Sequence, residues 1–484
     1  TFIFHTNRRH FSKRHSNKRD LLISIKPPSF KTTMGGEISM EDDDFEIFDE
    51  KDFKKQWEKN GMGNESMWSF FSTSYVQIVA TILRPMAEQG RPGRLYYDTV
   101  KDLGSVEVDI WPITEGATAS NSLKAVRQDH TMTCHGGKKI VFSIWRIKDA
   151  TTSTNAKRPF VVYLHSAVGA RPEALQALHT SLRAGANFVA LDFQGSGLSE
   201  GNIVTWGWNE NNNVVDVVRY LLKLGTATRI ALWGRQLGAA TALSYASRDD
   251  RVACLILDTP YSSLDDQMDL VIKTASKEGM SVPGIVLKAA TTMLKRSVRK
   301  KIAHKFDPNK LAPKTFAPKC KCPALFGGDI NDGVIPPDMV EKVYKKYKKK
   351  KRTLMSYHTT VGSGHFGIRP KDWSLTVYNF LLEHLYNSTK KESAGTPPTS
   401  VDPKVFDSAQ WPPAWVVTLH ERLEQNRSRA NEAAAKAAKE KKSARSTGET
   451  KEPNAPSTDA TEDMMAVVNE DAEMQAALGN LENL

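Results

Sequence analysis

Three positions in this chain carry residue types suited to acyl transfer, and the first lacks the atom that the chemistry needs. Gly234-Arg235-Gln236-Leu237-Gly238 follows the apolar run Ile230-Ala231-Leu232-Trp233 and precedes the alanine-rich stretch 239–243. A strand, a sharp turn framed by two glycines and a helix make a nucleophile elbow, whose central residue is normally serine. Here the central residue is Gln236. Its neutral amide has no lone pair usable as a nucleophile near neutral pH, so it cannot form an acyl-enzyme. Downstream, Asp332 lies in the loop 327–336 after an apolar strand, where a carboxylate would orient a histidine; Asp329 is the substitute. His365 lies in Gly362-Ser363-Gly364-His365-Phe366-Gly367, a small-residue loop that lets an imidazole reach the site. Upstream, His165-Ser166-Ala167-Val168-Gly169 ends another strand. There the backbone N–H of Ala167 would pair with that of Leu237 to hold a developing oxyanion.

These residues need a scaffold of strands that end at one edge. Strand-like runs occur at 139–147, 159–164, 188–193, 229–233, 252–257, 323–326 and 352–358, with helical stretches such as 173–184 and 213–224 between them. Short apolar strands alternating with helices predict a mostly parallel sheet covered on both faces. The first strands, around 106–110 and 132–147, are expected at an antiparallel edge. The break at about 259–322, with helical patterns at 264–276 and 285–302, reads as a helical lid over the strand ends where ligands bind.

The chain has 484 residues and a net charge of +12, but the charge is unevenly placed. Residues 1–33 hold eight Lys or Arg against one acid, and the block from Lys342 to Arg352 holds eight basic residues in eleven. The rest is close to balanced, which gives no ground for a nucleic-acid partner. The basic block includes Tyr344 and Tyr347 and is a candidate contact for an anionic membrane surface. No run is long and apolar enough to predict a transmembrane helix. Cys134, Cys254, Cys320 and Cys322 fit neither a disulfide framework nor a zinc site, so free thiols are expected, with no metal and no cofactor.

Composition divides the chain into a leader (1–63, basic then acidic), a globular body (64–390) and a tail (391–484) with a long charged helix and a terminal acidic amphipathic helix. The first 33 residues read as a presequence or as non-native sequence before Met34. Met34-Gly35-Gly36-Glu37-Ile38-Ser39 fits a myristoylation signal on Gly35 if Met34 starts the chain. In the tail, Glu470-Asp471-Ala472-Glu473-Met474-Gln475-Ala476-Ala477-Leu478 resembles a ubiquitin-interacting helix, although Leu481 stands where that motif has serine.

The body resembles the α/β-hydrolase superfamily, in particular its serine aminopeptidase-like and monoacylglycerol-lipase-like members of plants and protists. The resemblance rests on Ile82-Leu83-Arg84-Pro85, on Leu191-Asp192-Phe193-Gln194-Gly195-Ser196-Gly197-Leu198-Ser199-Glu200-Gly201 and on Gly207-Trp208-Asn209-Glu210. It continues through Leu232-Trp233-Gly234-Arg235, Leu257-Asp258-Thr259-Pro260-Tyr261, Pro323-Ala324-Leu325-Phe326-Gly327 and Arg369-Pro370. Nucleophile position, acid and histidine also follow in the superfamily's chain order. The resemblance implies an α/β-hydrolase fold with a mostly parallel eight-stranded sheet and, in active relatives, hydrolysis of esters, thioesters or amides. This chain departs from it at Gln236 and at Ser166, where the oxyanion loop has glycine.

The resulting expectation is a pseudo-enzyme: a cytoplasmic, cofactor-free binding or scaffolding protein whose pocket takes a small acyl or peptide ligand. Gln236 is expected to reach His365, which Asp332 orients. Ser166 is expected to restrict dihedrals that glycine would allow. Two alternatives stand beside this reading, an active hydrolase with a displaced nucleophile and a membrane-peripheral adaptor.

Overall fold

The computed structural model describes residues 97–110, 123–148, 157–201, 203–267, 269–270, 311–359, 364–365 and 367–386. Most of the lid, the leader and the tail lie outside these residues.

The strands among them are β1 (Glu107–Ile110), β2 (Leu123–Thr133), β3 (Lys139–Lys148), β4 (Arg158–Leu164), β5 (Asn187–Leu191), β6 (Ala227–Arg235), β7 (Val252–Asp258), β8 (Ala324–Asp329) and β9 (Arg352–Tyr357). They form one sheet in the order β1-β2-β3-β5-β4-β6-β7-β8-β9. Strands β4 to β9 run parallel, and β1 to β3 form the antiparallel edge. The described sheet thus has nine strands where the resemblance implied eight. The stretch expected as one run at 132–147 is a hairpin: β2 begins at Leu123 and turns through Gly136 and Gly137, both at positive φ, before β3. His135-Gly136-Gly137 carried that turn signal, because left-handed backbone favours glycine.

Side chains alternate between the sheet's faces, as the period of two requires. On β4, Val161 and Tyr163 enter one core with α1 (Leu175–Arg183); α5 (Lys371–Tyr386) packs on that face through Trp373 and Val377. Phe160, Val162 and Leu164 enter the other core, beneath α2 (Trp208–Lys223), α3 (Leu237–Ala246) and α4 (Pro337–Lys346). Strands buried on both faces read as near-continuous apolar runs, which makes them legible in the sequence.

Two glycines let α3 approach the sheet. A Cβ on Gly238 would lie 1.9 Å from the Leu164 carbonyl oxygen, and one on Gly234 would lie 2.3 Å from Gly238. Neither contact can be relieved by a rotamer change, because the atoms struck are backbone. The turn 192–198 is fixed as firmly. Asp192, fully buried, accepts hydrogen bonds from Tyr97 Oη (2.8 Å), the Arg171 amide (2.7 Å) and the Leu198 amide (2.9 Å). This turn and α3 bracket the loop after β4.

Candidate active site

Position 236 joins β6 to α3. Gln236 has φ 49° and ψ −105°, a conformation that a residue with a side chain adopts only when its surroundings impose it. Its amide donates to the Asp258 carbonyl at 2.8 Å, which ties the elbow to the end of β7. The side chain is buried, and its Oε1 accepts the backbone N–H of Ala167 at 2.8 Å. The amide carbonyl of Gln236 therefore sits on the oxyanion donor expected from the sequence. The hydrogen bond expected between Gln236 and His365 is not formed among the described residues. The backbone N–H is the partner that meets Oε1.

The loop carrying Ala167 is held by its own side chains. His165 is buried, with Nδ1 2.6 Å from the Ser166 carbonyl and Nε2 accepting the Phe193 amide at 3.0 Å. That pairing fixes a neutral imidazole with its proton on Nδ1. Ser166 Oγ donates to Glu173 Oε2 at 2.5 Å, and the Ser166 amide donates to Oε1 of the same carboxylate at 2.9 Å. Tyr163 Oη also donates to Glu173 Oε1, at 3.0 Å. Ser166 lies outside the positive-φ region, where only Trp206, Gln236 and Thr259 among described non-glycine residues fall, as expected of a residue whose side chain closes dihedrals open to glycine. Ser166 braces the loop. Glu173, which sequence reasoning missed, had no local motif to mark it.

His365 and Asp332 meet as expected. His365 Nδ1 lies 2.7 Å from Asp332 Oδ2, with both side chains buried. Asp332 Oδ1 accepts the amides of Val334 (2.8 Å) and Ile335 (2.7 Å). Burial pushes the Asp332 carboxyl up, but the His365 imidazole and the amide donors outweigh it and hold the carboxyl below its ordinary value. Asp329, the substitute, is occupied elsewhere: it accepts the amides of Asn331 (2.7 Å) and Thr359 (2.6 Å).

Behind His365 lies a second polar cluster. Arg235, next to Gln236 in sequence, donates to the His365 carbonyl through its guanidinium. Arg369 donates to the carbonyls of Gly364 (3.3 Å), His365 (3.4 Å) and Gly367 (3.2 Å). Its Nε is 2.7 Å from Asp258 Oδ2, and Tyr357 Oη donates to the other Asp258 oxygen. Burial lowers the tendency of Arg369 to hold its proton, yet Asp258 and Tyr357 reverse this and the net shift is upward. A small cavity lined by Tyr163, Trp233, Arg235, Asp258, Arg369 and Trp373 adjoins this clamp.

Two serines near the elbow, Ser166 and Ser244, have hydrogen-bond partners of their own. Ser166 is spent on Glu173, and Ser244, on α3, accepts from Arg248 at 3.2 Å. The basic block lies on the surface, with seven of its eight basic residues exposed. Lys342 pairs with Asp338 (3.0 Å) and Lys345 with Glu341 (2.8 Å), while Tyr344 and Tyr347 pack on Phe326. Among the described residues the four cysteines are free thiols, no group of three or more His, Cys, Asp or Glu is placed to hold a metal, and no helix is long and apolar enough to cross a membrane.

Residues 159–368 match a family model described as the α/β hydrolase fold. An uncharacterized Bacillus subtilis protein, YqkD, is 29% identical over 182 residues, which make up 37% of this chain and 56% of that protein. The match thus spans little more than half the length of this curated relative. Among solved structures, a Pyrococcus furiosus esterase is 20% identical, covers 53% of this chain and 91% of its own, and has a TM-score of 0.41. Acetyl xylan esterase 1 from Thermoanaerobacterium sp. is 15% identical over 65% of this chain and 93% of its own, at a TM-score of 0.39. Puromycin hydrolase is 19% identical over 56% of this chain and 40% of its own, at a TM-score of 0.41. The sheet, its flanking helices and the family match give this chain the α/β-hydrolase fold.

Proposed function

We propose that this chain is a non-catalytic binding or scaffolding protein on the α/β-hydrolase fold, in which Gln236 imitates the acyl-enzyme. The observation that carries the reading is the 2.8 Å hydrogen bond from the Ala167 N–H to Gln236 Oε1. An O-acylated serine runs Cα, Cβ, Oγ, acyl carbon, carbonyl oxygen. Gln236 runs Cα, Cβ, Cγ, Cδ, Oε1, so Cγ replaces the ester oxygen and Cδ the acyl carbon. The bond that would release the acyl group is now carbon–carbon and does not hydrolyse. The elbow is locked in the state that an active relative passes through.

The reading accounts for a site with Asp332, His365 and the oxyanion loop in place but no nucleophile. A pocket held in this state has its acyl position filled by the protein. The ligand we propose is a small acyl or peptide molecule, bound beside the filled acyl position without reaction. The assay that tests this offers short acyl esters and amides to the purified chain. No saturable turnover above buffer is expected. A saturable rate abolished by His365→Ala would overturn the reading.

A further inference from the structure

Gln236 is itself a carboxamide, and it is held where a hydrolase holds the carbonyl that water attacks. Oε1 rests on the Ala167 N–H at 2.8 Å, and α3 starts at the next residue, so the positive end of that helix adds to the pull on the oxygen. His365 is oriented by Asp332 at 2.7 Å. The guanidinium of Arg235, the residue before Gln236, holds the His365 carbonyl, which links the two halves of the site physically. In an ester intermediate the next event is attack by a water that the histidine deprotonates. Two of those parts are present here, an oxyanion donor on Oε1 and a histidine oriented by a carboxylate, with one difference in what can leave.

We propose that the site deamidates Gln236. His365 takes a proton from water, and the water oxygen bonds to Cδ while the carbonyl electron pair moves onto Oε1, held by Ala167. When that pair returns, the Cδ–Nε2 bond breaks, because Cγ cannot depart as a carbanion. The proton on His365 passes to the leaving nitrogen. One water is consumed, one ammonia is released and the carboxamide becomes a carboxyl, with no oxidant or reductant involved. The event happens once per chain. It leaves a carboxylate on the Ala167 N–H, a modification of the binding site rather than turnover. The inference rests on the acyl-enzyme reading of Gln236.

The test is a time course on the purified full chain at neutral pH and physiological temperature. Cleavage at lysine yields the fragment 224–273, which contains Gln236 and Gln267 together. Cleavage after Arg235 is avoided, because it would make Gln236 an N-terminus prone to cyclise. Fragment mass spectra should show Gln236 converting to glutamate while Gln267 stays intact. Asp332→Asn and His365→Gln should slow conversion by at least about a hundredfold, the lower range of what a positioned general base contributes. Protein isolated already converted supports the proposal equally if these two variants retain glutamine. An intact Gln236 throughout, or unchanged rates in both variants, would overturn the proposal. Labelling of the chain by a serine-directed probe would instead sink the acyl-enzyme reading beneath it, so the two failures are distinguishable.

Discussion

Gln236→Ser is expected to convert a chain that fluorophosphonates leave unlabelled into one that they label at position 236. The acid–histidine pair is already assembled at 2.7 Å and the Ala167 N–H already meets the residue at the elbow, so on the proposed reading the variant supplies the missing nucleophile. Loss of a triad serine removes about 10⁶ in kcat in a well-studied protease, so even partial recovery should raise short-ester hydrolysis by at least about 10³ over the wild-type chain. His365→Ala in the same background should return it to baseline. Ser166→Gly should add nothing, since Ser166 adopts ordinary backbone and its hydroxyl holds Glu173. Mass spectrometry of the adduct checks the first outcome and ester kinetics the others. Labelling that persists without His365 would show that the retained dyad does not serve the elbow.

Arg369→Met should destabilise the fold by about 3–5 kcal/mol, the range for breaking one partner of a buried ion pair. The charge lies among buried groups, 2.7 Å from Asp258, and the variant leaves that carboxylate with no cation at Nε distance. It also removes donors from the carbonyls of Gly364, His365 and Gly367, so the histidine loop loosens with the core. Arg369→Lys should recover only part of the loss, because one ammonium cannot span these acceptors as the planar guanidinium does. Denaturant unfolding reads both. A cost below about 1 kcal/mol, typical of an exposed pair, would mean that water replaces the arginine and that the clamp does not hold the loop.

Much of this site is legible in the sequence because its parts are constrained locally. Gly234 and Gly238 announce the elbow by close approach, which no other residue permits. The central strands announce themselves as apolar runs, and Asp332 and His365 follow strand ends in small-residue loops. What cannot be read depends on contacts that no local spacing rule marks. Glu173 meets Ser166 across a loop and a helical turn, and nothing in either residue's neighbours predicts that a substituted glycine would become a brace. Arg235 and Asp258 are visible as motif residues, but their joint hold on the histidine loop exists only once β6, β7 and that loop are side by side. The direction of the Gln236 side chain escapes the sequence for a related reason. Sequence shows which residues line a pocket and does not show that a main-chain N–H will take this amide oxygen.

The central claim is that the elbow is occupied by a permanent imitation of the acyl-enzyme and that no other serine replaces its function. Exposure of the wild-type chain to a fluorophosphonate, with every serine read by peptide mass spectrometry, tests it most directly. No adduct at any serine is expected, under conditions where Gln236→Ser is labelled. An adduct on the wild-type chain, at Ser166 or at any serine whose labelling requires His365, would contradict the claim.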